Sequence, residues 1–164
     1  MQLATSAIAN LQDPALSTYA HWGVNSLVVA MTVVTVSLCV LLHYEALNLL
    51  SRRLAHLEGR HRRRVVVAIS GLLAVHIAEI WIFGLAYALL LGVPAAGIAH
   101  GVDGSLLDFV YLSAMTFSTV GSADVYLVGP VRFLSGTEAL AGLVLITWSA
   151  SFTFLEMQRF WRDR

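Results

Sequence analysis

A single cysteine, Cys39, stands among 164 residues, inside an apolar run. A disulfide within one chain is therefore excluded, and so is a cysteine-based zinc motif. In that setting a lone thiol reads as a small apolar side chain in a packed interior. Charge is equally scarce. Charged residues make up 12% of the chain, against about a quarter in a soluble domain. No lysine or arginine precedes Arg52, so the N-terminus lacks the basic stretch of a cleaved signal peptide. Internal repeats and low-complexity tracts are missing too. The net charge of zero says nothing for or against nucleic acid, which is not expected as a partner.

What fills the space is apolar. Hydrophobic residues reach 58% and the mean hydropathy is +0.76. They come in three blocks, from about Val24 to Leu50, Val65 to Val93 and Val131 to Leu155. Each is long enough to cross a bilayer as a helix, which takes about 20 residues. The fold class expected is an all-α membrane protein with three transmembrane helices. Between the first two blocks lies "SRRLAHLEGRHRRR", with Arg52, Arg53, Arg60, Arg62, Arg63 and Arg64. The excess of arginine places residues 51–64 in the cytoplasm, where Arg60 to Arg64 meet lipid headgroups. Three spans then put the tail, with Arg159, Arg162 and Arg164, on the same side, and residues 1–23 outside. Tyr19 and Trp22 suit the outer interface of a plasma membrane, Phe160 and Trp161 the inner one.

The stretch after the second block, "GVPAAGIAHGVDGS", reads as an extracellular loop. Leu106 to Ser118 follows. It is apolar and helix-competent, but at about 13 residues it is too short to span. Ser105 is placed to cap it, and Asp108 in its first turn suits the positive end of the helix dipole. A short helix, a turn holding Gly121 and a return to the same side describe a re-entrant loop. Non-helical backbone at membrane depth is tolerated where protein buries it or where it lines a watery cavity. Residues 65–164 thus form one unit: outer helix, short helix and loop, inner helix and tail.

The order of parts is distinctive: a short helix, Thr119-Val120-Gly121, Asp124, Tyr126, Arg132 opening the last span, and Gly142 partway down it. From Leu106 to about Trp161 the chain resembles the pore module of tetrameric potassium channels, in particular small bacterial potassium-channel-like proteins. The resemblance implies a homotetramer in membrane lipid that passes monovalent cations, potassium and sodium, through backbone carbonyls that replace the hydration shell. It implies no cofactor and no catalytic step. It also implies ion sites along Thr119, Val120, Gly121, Ser122 and Ala123, filter support from Asp124 and Glu138, and a gating hinge at Gly142. Three positions depart from the family pattern. Ala123 replaces the second filter glycine, where a left-handed backbone costs a non-glycine residue about 1–2 kcal/mol. Ser122 replaces an aromatic that packs behind the filter. Met115 stands where some members keep a carboxylate. Relaxed potassium selectivity is the expected result.

Ionisable residues inside spans are functional-site candidates by default. His43 and Glu45 lie in the first block, His76 and Glu79 in the second, Glu138 in the third. His76 and Glu79 share a helical face, whereas His43 and Glu45 diverge by about 200°. Counted from the basic loop, His43 lies about 11 Å deep, near the level of His76. Either these groups form an interhelical hydrogen-bond cluster that fixes packing, or they form a proton or metal site that biases gating. No compact metal motif is present. Glu138 is expected either to bond the pore helix or filter backbone, or to join a ring of charges that attracts cations. The alternative to conduction is a non-conducting scaffold or sensor that keeps the pore fold and works through the cluster; a membrane metalloenzyme stands behind both.

Overall fold

The structure, a computed structural model, describes residues 21–56 and 61–162, and beyond residue 158 the backbone alone. The N-terminal segment with Tyr19, Arg60, the side chains of Arg159, Phe160, Trp161 and Arg162, and Arg164 lie outside the described residues. Helix α1 is Trp22–Ala55 and α2 is His61–Leu91. Strand β1, Ile98–His100, leads to helix α3, Leu106–Phe117. Strand β2, Tyr126–Val128, leads to helix α4, Arg132–Arg162. Three of the helices, α1, α2 and α4, are long and apolar enough to cross a membrane.

These helices overrun the apolar blocks. At 34 residues, α1 is about 51 Å long, well beyond the roughly 30 Å hydrocarbon core. Much of the basic segment 51–64 is therefore helical rather than loop. Ser51 to Ala55 closes α1 and His61 to Arg64 opens α2. The reason is local: arginine, leucine and alanine are strong helix formers, and the first glycine in the segment is Gly59. At the far end Arg64 reaches Glu156 of α4 across 3.8 Å. The basic turn and the last turns of α4 thus share one end of the bundle, as the arginine pattern requires.

Helix α3 begins as its sequence predicts. Asp108 N–H donates to Ser105 Oγ at 3.2 Å, and Ser105 N–H donates to Asp108 Oδ2 at 3.2 Å. This capping box satisfies free donors at both positions. The helix then packs between α2 and α4. Two glycines permit the close approach. A Cβ on Gly84 of α2 would meet Val110 Cγ2 at 2.9 Å, and one on Gly142 of α4 would overlap the Phe117 carbonyl. The core gathers here, from Phe83, Tyr87 and Leu90 of α2, Leu112 and Phe117 of α3, and Leu134 and Leu145 of α4. Cys39 of α1 belongs to it and is fully buried.

The helical expectation gains one feature. Strands β1 and β2 form a short antiparallel ribbon, with Ala99 opposite Leu127 and His100 opposite Tyr126. The His100 and Tyr126 rings stack at 4.7 Å. Gly101, with φ +79°, closes the ribbon at a point where a Cβ would overlap the Asp124 carbonyl. The extracellular loop and the segment after Thr119-Val120-Gly121 are thereby tied together.

Candidate functional site

The loop that leaves α3 is held from below by that helix's last carbonyls. Ser118 donates through Oγ to Ala114 O at 2.6 Å. Thr119 N–H donates to Thr116 O at 2.9 Å, and Gly121 N–H reaches back to Met115 O at 2.9 Å. To make that return the backbone turns left-handed at Thr119, φ +60°, and again at Gly121, φ +71°. The sequence places the strain at Ala123; the structure moves it to Thr119. Ala123 is not among the described residues with positive φ, because the chain has already reversed before it arrives there. For a threonine the left-handed state costs about 1–2 kcal/mol.

Thr119 to Gly121 are exposed, Val120 to 72%. Ser122 Oγ accepts Asp124 N–H at 3.2 Å. Asp124 itself is exposed, with its carbonyl close against Gly101. Beside the loop lies an open cavity of about 430 Å³, lined among others by Leu112, Met115, Thr116, Ser122, Val125 and Arg132.

Glu138 of α4 is fully buried. Tyr87 Oη donates to Oε2 and Ser113 Oγ to Oε1, each at 2.5 Å. The bond to the short helix is the one foreseen. A ring of charges facing a pore is not what this geometry offers, since both carboxylate oxygens are taken and covered within one chain. Tyr87 and Ser113 went unnoticed in the sequence. The signal at Tyr87 was a phenol in the middle of an apolar block, which needs a partner once buried.

A second polar group lies nearer the basic end. Glu79 Oε1 lies 2.9 Å from Nδ1 of His43, and Oε2 lies 2.8 Å from Nδ1 of His76. The Nε2 atoms of both rings turn to one hydroxyl, Ser149 Oγ, at 3.4 Å for His43 and 3.0 Å for His76. A closed ring of four side chains joins α1, α2 and α4. His43 and Glu79 are completely buried, and 16% of the His76 side chain is exposed. The equal depth of the two histidines is as counted. Glu45 stands outside: it is exposed on the outer face of α1, beside Asn48 and Arg52. Two residues along a helix turn a side chain to the opposite face, so Glu45 does not join His43. Ser149 was not foreseen, as a serine in an apolar helix is unremarkable by itself. One ligand atom from each of His43, His76 and Glu79 lies within 4.8 Å of the others, which suits a metal ion. The His76 ring packs 5.7 Å from Phe117, the last residue of α3.

Gly142 has a structural task independent of bending. It lets α4 touch the Phe117 carbonyl, one residue before the loop begins.

A family profile described as ion channel, a two-transmembrane potassium-channel-like domain, matches residues 75–159 of this chain. No curated protein and no solved structure matches it.

Proposed function

The chain belongs to that ion channel family, and we propose that four copies enclose a pore passing monovalent cations along the carbonyls of Thr119, Val120 and Gly121. The observation that carries the reading is the loop's one-sided support. Its backbone is bonded to α3 at Thr119 and Gly121, while Val120 and its neighbours stand exposed in a lone chain. Such a segment at membrane depth needs other chains to complete its wall. Four-fold repetition supplies that wall and creates rings of carbonyls.

Ser122 makes the outer half of the filter the weak part. An aromatic cuff is missing there and an open cavity flanks Ser122, so discrimination of potassium over sodium is relaxed. Basic residues at the shared end of α1 and α2 put that end in the cytoplasm. The first span packs on α2 and α4, outside the pore ring.

The test is the reversal potential of the purified chain in a planar bilayer under opposing potassium and sodium gradients. A reversal near zero with sustained current is the expected result. A reversal at the potassium potential would refute relaxed selectivity. Absence of current at any voltage would refute conduction and favour the scaffold reading, in which the pore fold serves only to hold the His43–His76–Glu79 cluster.

A further inference from the structure

The polar ring of His43, Glu79, His76 and Ser149 has a donor deficit. Let Glu79 be ionised and both imidazoles neutral. A proton on each Nδ1 serves the two carboxylate oxygens, at 2.9 and 2.8 Å. Two bare Nε2 atoms then face Ser149 Oγ, at 3.4 and 3.0 Å. A serine hydroxyl has one hydrogen to give. One buried acceptor is left over, without the hydrogen bond that would offset its loss of water.

Reversing the tautomers removes the deficit on the serine side. Each Nε2–H donates to Ser149 Oγ, whose two lone pairs accept both. Both Nδ1 lone pairs then point at the Glu79 carboxylate, a repulsion that a cation bound between them relieves. We propose that this is a binding site for a divalent first-row metal ion of the zinc class, held by Nδ1 of His43, Nδ1 of His76 and the carboxylate of Glu79. Two imidazoles with one carboxylate form a donor set of intermediate softness, which suits zinc or iron(II) better than magnesium or calcium. Three protein ligands leave a further position open. Ser149 fills the orienting role that a ligating histidine requires at its other nitrogen. The carboxylate offsets one of the two positive charges. His76, the one partly exposed member of the three, gives the ion its way in.

An ion here ties α1 to α2 directly and to α4 through Ser149. It also fixes the His76 ring that packs on Phe117 at the foot of the filter loop. The metal site stands apart from conduction; an effect of the ion on current rests on the channel reading.

The experiment uses the purified full chain in detergent, stripped with chelator and titrated with Co²⁺ as a spectroscopic probe and with Zn²⁺ as competitor. Visible cobalt bands saturating at about one ion per chain and erased by zinc are the expected result. Glu79→Gln and His76→Gln should abolish them. Ser149→Ala should weaken binding about 10- to 100-fold, and Glu45→Gln should leave it unchanged. No cobalt bands from the wild-type chain at millimolar metal would overturn the site and leave a hydrogen-bonded ring closed by an additional proton. Bands that survive both ligand substitutions would overturn it as well, by locating the ion elsewhere. The wild-type spectrum is read first, so a variant that fails to fold hides nothing. A chain that binds cobalt and passes no current would sink the channel reading alone.

Discussion

Tyr87 donates its hydroxyl hydrogen to Oε2 of Glu138 across 2.5 Å and joins two spans through residues 51 apart in sequence. Ser113 takes the other oxygen, so one buried carboxylate pins α2, α3 and α4 at a single point. The short helix that precedes the Thr119–Gly121 loop is held there. Tyr87→Phe takes the donor from a buried carboxylate oxygen and is expected to cost about 1–3 kcal/mol. Glu138→Ala removes both bonds at once, leaves a cavity, and is expected to cost about 2–5 kcal/mol. Thermal unfolding in detergent measures both, and a Glu138→Ala protein as stable as the wild type would remove the pinning role.

Gly142 and Gly136 make a controlled pair on α4. A Cβ at Gly142 runs into the Phe117 carbonyl, whereas nothing lies within 4 Å of one at Gly136. Gly142→Ala is expected to destabilise by about 1–3 kcal/mol and to reduce current by displacing the end of α3. Gly136→Ala is expected to be neutral or to stabilise by up to about 1 kcal/mol. If Gly142 served bending alone, Gly142→Ala would melt like the wild type and alter only opening.

The cavity beside the loop makes a prediction about selectivity. Ser122→Tyr places a ring against Leu112, Met115 and Val125, which line that space. Combined with Ala123→Gly it should move the reversal potential toward that of potassium. Ala123→Gly alone should change little, because Ala123 is not in a left-handed conformation. An unchanged permeability ratio in the double variant would mean that the outer half of the loop does not set selectivity.

The capping box at the start of α3 is exposed, so its loss can be read without disturbing the core. Ser105→Ala is expected to cost about 1 kcal/mol and to speed amide exchange in the first turn of α3. Equal exchange in both proteins would show that packing against α2 and α4 holds the helix start unaided.

Much of this architecture is written locally. The apolar blocks are long enough to span, and Leu106–Phe117 is too short. Ser105 and Asp108 are one turn apart, and arginine clusters at one end. Each of these features depends on neighbours within a few residues, which is the range over which composition and helical period act. The helix ends were less legible. Arginine is both a membrane-boundary signal and a good helix former, so α1 and α2 continue past the bilayer edge.

The sites depend on something else. His43 and His76 were matched in depth by counting, but their meeting at Glu79, with Ser149 closing the ring, needs three helices to have the right rotation about their axes. Glu45 has the same chemistry as Glu79 and a place next to His43 in sequence, yet faces outward. Tyr87 finds Glu138 for the same reason. The left-handed turn falls at Thr119 rather than Ala123 because Gly121 must return to Met115. The sequence by itself determined how many helices cross, where the short one starts and which end is basic. Tertiary packing alone decided which polar groups meet, because helix rotation is set by all the contacts at once and by no single stretch of chain.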